Sequence, residues 1–220
     1  MKRSKSRQAE LAFPSWGGAR KGAGRKRKSE KPTVPHARRP ALAARHPVHV
    51  TLRIAPGLPT LRNGKAYRFL EQAFRGGRER FGFRLVHFAV LSNHLHLVVE
   101  AEGTPSLSRG MQGLAVRLAR AINRAWRRAG TVFAERYHAH VLRSPREVRN
   151  ALAYVLGNAR KHGAWLRRGA LDSFSSGRWF DGWSGTKRAL WLDGAPVARA
   201  RTWLLGVGWR RHGLVPLERT

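Results

Sequence analysis

Two apolar runs separated only by Ser92-Asn93 constrain the fold of this chain more than any other segment. Residues 83–91 (Phe-Arg-Leu-Val-His-Phe-Ala-Val-Leu) and 94–100 (His-Leu-His-Leu-Val-Val-Glu) both have the length of a strand. Both are largely apolar at consecutive positions, which is typical of strands that are covered on both faces. The short turn predicts that the second run returns beside the first, so that both belong to the middle of a sheet.

Weaker patterns on either side predict the elements that surround this pair of strands. Alternation predicts a strand over 47–54, helical periodicity predicts helices over about 61–75 and about 105–127, and another strand is expected within 131–143. The apolar stripe of the first helix is expected to comprise Leu61, Ala66, Phe69, Leu70 and Ala73. This order of elements, with a helix at the end, predicts an α+β fold in which helices pack on an antiparallel sheet.

The final helix, over 145–162, has the clearest signals. Ser144 is a typical N-cap residue, Pro145 fits the first helical position, and Glu147 completes a capping box. Gly163 is the expected stop. One narrow stripe at 3.6 residues per turn is expected to dock the helix on the sheet, and it consists of Val148, Ala151, Leu152, Val155 and Ala159.

The charge of the chain points to a polyanionic partner. Its 220 residues include 44 Lys and Arg against 12 Asp and Glu, a formal net charge of +32. A field of that size attracts nucleic acid above all. A basic protein of the membrane surface is the rival interpretation, but no run of 18 apolar residues and no secretory signal is evident. We therefore expect no membrane partner and a cytoplasmic, nucleoid-associated protein.

Residue types that are scarce exclude several kinds of site. With no Cys, the chain has no disulfide, no thiolate zinc site and no cysteine nucleophile. With so few acids, a nuclease built on three carboxylates is disfavoured, and a histidine-based metal site is the better expectation.

The two ends differ in composition from the middle. Residues 1–45 carry 14 Lys and Arg, and we expect a disordered basic arm there. Its role is phosphate or minor-groove contact, or only solubilisation, and its densest cations are Arg25, Lys26, Arg27 and Lys28. Residues 164–220 hold six of the eight Trp without clear periodicity, and form an irregular extension. These Trp either stack on bases or pack on the domain, and packing is expected for most.

The sequence His94-Leu-His96 lies at the start of the second central strand. Residues i and i+2 of a strand point to the same face, so both imidazoles can reach one metal ion. Such pairs are also common as plain core or surface histidines. His138-Ala-His140 has the same spacing but less apolar flanks, so we expect it on an edge strand, facing DNA or supporting the site.

Tyr154 and Asn158 are four residues apart and lie together at the margin of the stripe on the capped helix. At that margin a side chain can lean over a site carried by the sheet, and Lys161 lies near the same side. The alternative is a tyrosine packed at a helix edge beside a surface asparagine.

The segment Asn93-His-Leu-His-Leu-Val-Val99, followed about sixty residues later by Tyr154-Val-Leu-Gly-Asn158, resembles the single-tyrosine HUH transposases of the IS200-like family. The Tyr-x-x-x-Asn spacing and Arg136-Tyr-His-Ala-His-Val-Leu142 are most similar to the REP-associated tyrosine transposase branch. The resemblance covers about 46–163 and implies an HUH fold, a ferredoxin-like or RRM-like sandwich. That branch usually continues Asn-Pro, whereas Ala159 follows Asn158 here, which predicts a longer helix.

The resemblance also implies a chemistry. His94 and His96 would bind Mg²⁺ or Mn²⁺, with Asn158 as a possible third ligand, and Tyr154 would attack the phosphate to give a 5′-phosphotyrosine. The cations Arg160 and Lys161 would favour the phenolate. The substrate would be single-stranded or hairpin DNA of the REP type, bound by a monomer or homodimer. A phosphate track is expected on the second helix, at Arg117, Arg120 and Arg124.

Two other functions fit the same sequence. One is an inactive or domesticated copy that binds a DNA hairpin without cutting it. The other is a basic RNA-binding protein, which composition alone would allow.

Overall fold

The centre of the fold is a five-stranded antiparallel sheet. The computed structural model describes residues 40–161, 170–185 and 194–217, and the side chains of all of these except 159–161. The lateral order of the strands is β2-β3-β4-β1-β5, so that β4 is central and β5 lies at an edge. The strands are β1 (Val48–Arg53), β2 (Glu79–Arg80), β3 (Phe83–Val90), β4 (His94–Ala101) and β5 (His138–Val141). The predicted α+β fold is confirmed, and β5 is the edge strand that the flanks of His138 and His140 indicated.

One face of the sheet is covered by two helices, α1 (Gly64–Gly77) and α2 (Thr104–Ala125). Alternate residues of β4 enter this first core, which also takes the inner stripe of α2. Helix α1 begins three residues later than its periodicity predicts, because Asn63 caps it by accepting from the backbone N–H of Lys65. Its buried side therefore comprises Ala66, Tyr67, Leu70 and Phe74, while Leu61 is buried ahead of the helix and Phe69 is only half-buried.

The other face of the sheet carries α3 (Pro145–Lys161), the predicted capped helix. Its N-terminus differs slightly from a capping box: Ser144 Oγ accepts from the backbone N–H of Glu147, but the Glu147 carboxylate accepts from the N–H of Arg143. The helix continues for three residues beyond Asn158, in agreement with the absence of the usual proline. Four residues of its predicted stripe are buried against this face: Val148, Ala151, Leu152 and Val155.

The C-terminal residues complete this second layer. Their elements are two 3₁₀ turns (Ser176–Trp179 and Gly208–His212), a short helix α4 (Trp203–Gly206) and the paired short strands β6 (Trp183–Ser184) and β7 (Val215–Pro216). Trp179, Trp183 and Trp209 are buried, and only Trp203 is about half exposed. The expected packing role is therefore confirmed for three of these four tryptophans, while Trp165 and Trp191 lie outside the described residues.

A buried carboxylate on β4 fixes this C-terminal layer to the sheet. Glu100 is completely buried and accepts from the backbone N–H groups of Arg201 and Thr202 and from the Thr202 hydroxyl. Its charge is balanced by Arg84 on the neighbouring strand, with Nε 3.1 Å from the carboxylate. Sequence patterns do not reveal this anchor, because its partners lie about 100 residues further along the chain.

At the other end of the chain, the described residues begin inside the expected arm. Leu42 is buried, and its N–H donates to the Thr104 hydroxyl at the start of α2. Residues 1–39, with the cations at 25–28, lie outside the described residues. Within the described part, no helix is long and apolar enough to cross a membrane.

Candidate active site

The candidate site lies on the sheet face that α3 covers, at the start of β4. Antiparallel pairing places Thr51 of β1 beside His96 and Arg53 beside His94. Side chains directly opposite in such a pair point to the same face. His96 is buried, whereas His94 at the beginning of the strand is half-buried. The side chains of His94 and His96 therefore point toward α3 and not into the core formed with α1 and α2.

The two imidazoles of the pair converge on one point. Nε2 of His94 lies 3.2 Å from Nε2 of His96, and the rings are nearly perpendicular at 88°. Two nitrogens bound to one ion at about 2.0–2.1 Å each lie about 2.9–3.4 Å apart for octahedral to tetrahedral bond angles. The 3.2 Å distance between the two Nε2 atoms is therefore consistent with a shared cation or a shared proton.

Each histidine of the pair has a partner on its other nitrogen. Nδ1 of His94 lies 2.8 Å from Oδ1 of Asn93, and a carbonyl oxygen can only accept, so Nδ1 is the donor and, in the neutral ring, Nε2 carries the lone pair. Nδ1 of His96 lies 3.1 Å from Nε2 of His49 and 3.2 Å from the Thr51 hydroxyl. Contacts of this kind fix the tautomer and ring orientation of metal-binding histidines.

His49 is held in its neutral form. Burial lowers the pKa of His49 to about 4, and the neighbouring His140 contributes in the same direction. His140 lies directly opposite His49 on β5 and is exposed. A neutral imidazole has one acceptor nitrogen, which allows His49 to accept a hydrogen bond from His96.

Tyr154 stands above the histidines from α3. Its ring centroid lies 5.1 Å from that of His96 and 5.9 Å from that of His49, both in edge-to-face geometry. Its side chain is 39% exposed, although the helix around it is docked by buried aliphatic residues. Tyr154 therefore contacts the rings of His96 and His49 and remains partly exposed.

Asn158 lies one helical turn beyond Tyr154 and is 1% exposed. Both polar atoms of its amide are buried without a hydrogen-bond partner in the described part of the chain. Burying an amide without a partner is costly, so such a group in a folded protein is usually satisfied by a ligand, an ion or a bound water. An amide oxygen suits Mg²⁺ or Mn²⁺ and would complete, with the two imidazole nitrogens, the predicted mixed N,O donor set.

The donor set contains no acidic residue. Across residues 40–161, 170–185 and 194–217, no three His, Cys, Asp or Glu side chains form a metal-binding cluster. The residues present nevertheless fit a divalent cation, on the evidence of the converging nitrogens and the unpartnered Asn158 amide.

Comparison with known proteins identifies the family. A family model described as "Transposase IS200 like" matches residues 48–158, which is half of the chain and includes the whole candidate site. The chain belongs to the IS200-like transposase family. No curated protein matches it.

Comparison with solved structures supports the same fold for this IS200-like family member. One structure with this fold is that of a REP-associated tyrosine transposase bound to a REP hairpin. The two chains are 19% identical, with a TM-score of 0.54 over 65% of this chain and 82% of the other.

The remaining predicted residues of this family member do not all meet at the site. Arg117, Arg120 and Arg124 are exposed on α2, which covers the opposite face of the sheet. His140 is exposed at the edge beside the site, and His138 on the same strand lies 3.1 Å from the Glu135 carboxylate. The side chains of Arg160 and Lys161 lie outside the described residues.

Sequence reasoning did not single out His49 and Thr51. Their signal is the alternation along β1, in which both are flanked by buried Val48, Val50 and Leu52. That pattern shows that they face the other side of the sheet. It does not show which residue of β4 lies beside them. That depends on the register between β1 and β4, whose paired residues Thr51 and His96 are 45 positions apart in the sequence.

Proposed function

We propose that this protein cleaves and rejoins DNA strands through a covalent link to Tyr154, on single-stranded or hairpin DNA. The observation that carries the proposal is the position of Tyr154, with its ring 5.1 Å from His96, whose Nε2 converges with that of His94. Membership of the IS200-like transposase family supports the same function.

The reaction is a transfer of the phosphoryl group to the tyrosine. The oxygen of Tyr154 forms a bond to phosphorus, the bond from phosphorus to the 3′ oxygen of the upstream nucleotide breaks, and that oxygen leaves as a hydroxyl. The proton lost by the phenol balances the one gained by the leaving oxygen. Because the phosphodiester energy is kept in the 5′-phosphotyrosine, attack by another 3′-hydroxyl rejoins a strand without ATP.

His94, His96 and Asn158 would hold the divalent cation, Mg²⁺ or Mn²⁺. When bound, such an ion polarises the phosphate and stabilises the charge that develops during the transfer. The residues themselves contribute the lone pairs of two Nε2 atoms and one amide oxygen. Arg160 and Lys161, on the turn after Asn158, are proposed to favour the phenolate of Tyr154.

The DNA substrate is supported by charge. The chain carries a formal net charge of +32, which favours the phosphate backbone of nucleic acid. A solved structure with the same fold is bound to a REP hairpin, and we propose a hairpin flanked by single-stranded DNA as the substrate here. Work on such a substrate is consistent with a nucleoid-associated location.

The decisive experiment is the capture of a covalent adduct. A hairpin oligonucleotide with a single-stranded flank and a label at its 3′ end is incubated with the protein and Mn²⁺, then run on a denaturing gel. We expect a labelled band at the mass of protein plus the 3′ fragment, absent with chelator. Tight, salt-dependent binding to the same oligonucleotide without any adduct would indicate the inactive hairpin binder instead.

A second arm separates DNA from RNA. The same hairpin sequence is offered as RNA in competition, and we expect DNA to be preferred. Equal or better binding of the RNA would favour the interpretation as an RNA-binding protein.

A further inference from the structure

The side of His96 that faces away from His94 is occupied by two residues of β1, His49 and Thr51. They contact the same atom, Nδ1 of His96, at 3.1 Å and 3.2 Å. The other ring nitrogen of His96, Nε2, is the one that faces His94. Their place behind His96 therefore suggests a role that acts through His96.

The tautomer of His96 decides whether the site can bind a cation. For Nε2 to offer its lone pair, the ring proton must lie on Nδ1, and Nδ1 then needs an acceptor. Nε2 of His49 and the Thr51 hydroxyl oxygen lie 3.1 Å and 3.2 Å from Nδ1, and each of these atoms can accept its hydrogen bond. Without these acceptors the proton can equally lie on Nε2, where it would compete with the ion.

The ring of His49 also contacts Tyr154. The two centroids lie 5.9 Å apart and the rings are tilted by 75°, while His49 and His96 are 5.1 Å apart. His49 thus touches both of the groups that the proposed reaction uses. The strand register supplies this arrangement, because β1 lies between β4 and the edge strand β5.

We propose that His49 is a positioning residue, which holds His96 by a hydrogen bond at Nδ1 so that Nε2 is presented beside His94, with Thr51 in a supporting role. This inference rests on the proposed metal-binding function of His94 and His96. It assigns a role to β1, which is otherwise only a structural strand of the sheet.

Mn²⁺ binding to the full chain, measured by calorimetry without DNA, tests the proposal. Wild type is expected to bind Mn²⁺ at a site that His94→Ala abolishes. His49→Phe keeps an aromatic ring but lacks an acceptor, and we expect it to weaken Mn²⁺ binding by about tenfold or more. His49→Gln, whose amide oxygen can accept from Nδ1, is expected to restore most of the affinity.

Two further variants complete the test. Thr51→Val removes the hydroxyl without changing the shape of the side chain, and it should weaken Mn²⁺ binding less than His49→Phe does. His212→Ala removes an exposed histidine on the 3₁₀ turn Gly208–His212 and should leave Mn²⁺ affinity unchanged. Circular dichroism confirms that each variant is folded. If His49→Phe does not fold, His49→Ala, which also lacks an acceptor, takes its place and is expected to weaken Mn²⁺ binding in the same way.

The outcomes separate this inference from the proposed function. If wild type binds Mn²⁺ through His94 and forms adducts while His49→Phe binds Mn²⁺ equally well, the positioning role alone is overturned. Equal losses of Mn²⁺ affinity in His49→Phe and His49→Gln would overturn it too. They would show that the hydrogen-bond acceptor of residue 49 does not matter and that the role of His49 is only structural. Wild type that binds no Mn²⁺ overturns both the metal site and the role of His49.

Discussion

Glu100 on β4 and Thr202 at the start of α4 are joined by two hydrogen bonds, from the Thr202 N–H at 2.8 Å and from its hydroxyl at 2.7 Å. Through this contact the buried carboxylate connects the sheet to the C-terminal layer that supports α3. Together with Arg84, which also lies 3.8 Å from the Glu79 carboxylate, the pair forms a buried polar network around Glu100.

Removal of this carboxylate is expected to destabilise the fold strongly. Glu100→Ala leaves Arg84 with only the more distant Glu79 carboxylate, at 3.8 Å, and leaves several donors unsatisfied. Removing one partner of a buried pair costs about 3–5 kcal/mol. Glu100→Gln retains an acceptor and should lose less. Urea denaturation measures both, with the exposed Glu102→Gln as control. A loss below about 1 kcal/mol in Glu100→Ala would contradict the anchoring role.

The assignment of the nucleophile can be tested against a second tyrosine. Tyr154→Phe removes the attacking oxygen and is expected to abolish the covalent adduct, with folding and hairpin binding retained. The matched control is Tyr67→Phe on α1, at the opposite face of the sheet. Burial raises the pKa of Tyr67, and its hydroxyl is buried without a hydrogen-bond partner among the described residues.

Because Tyr67→Phe removes a hydroxyl that forms no hydrogen bond there, it should keep full adduct formation and be at least as stable as wild type. Adducts in Tyr154→Phe, or their loss in Tyr67→Phe, would show that the tyrosine has been assigned wrongly.

Replacement of Asn158 is expected to reduce Mn²⁺ binding without reducing the stability of the metal-free protein. Asn158→Leu has the same branching, and it replaces a buried amide without a partner by an apolar group. We expect the metal-free protein to keep its melting temperature or to gain a few degrees, because no hydrogen bond is lost. Mn²⁺ affinity and adduct formation should fall together. A marked loss of stability in chelator would instead show that the amide supports the fold.

Sequence reasoning succeeded where the information is local. Strand alternation places His94 and His96 on one face, and a four-residue spacing places Tyr154 and Asn158 on one side of a helix. It failed where the information lies in the pairing of distant segments. The contact of His49 with His96 depends on strand register, and the contact of Glu100 with Thr202 spans 102 residues.

The arginines of α2 illustrate the same limit. Periodicity shows which side of a helix is buried, but it does not show which face of the sheet the helix covers. Arg117 and its neighbours are exposed as predicted, yet α2 packs with α1 on the face opposite α3. Their proposed role is therefore confined to DNA that extends beyond the site.

That role predicts an effect on binding without an effect on chemistry. In the triple variant Arg117→Gln, Arg120→Gln and Arg124→Gln, the slope of log affinity against log salt should become shallower, by about 0.7–0.9 for each phosphate that the variant no longer neutralises. Adduct formation at saturating protein should be unchanged. The corresponding triple Lys variant keeps the charge and should keep the slope. An unchanged slope in the Gln variant would exclude these arginines from the DNA interface.

A buried histidine is expected to make the fold less stable in acid. His87 on β3 is buried, its Nδ1 lies 3.3 Å from the Ser176 hydroxyl and its ring meets Phe180 edge-on. Burial lowers the pKa of His87 from 6.5 to about 4, so the folded protein keeps it neutral. Between pH 6.5 and 4 the unfolded chain therefore binds a proton that the folded chain does not, which favours unfolding.

Above pH 6.5 the low pKa of His87 has no effect on the free energy of unfolding. As the pH falls from 6.5 to 4, this free energy declines by up to about 3 kcal/mol because of His87. His87→Gln removes the titrating group and retains an acceptor for Ser176. Since all other groups titrate alike in both proteins, the difference between their free energies of unfolding isolates His87. We expect wild type to lose more stability than His87→Gln over this range, as measured by urea denaturation at successive pH values. Parallel curves for the two proteins would show that His87 titrates normally in the folded state.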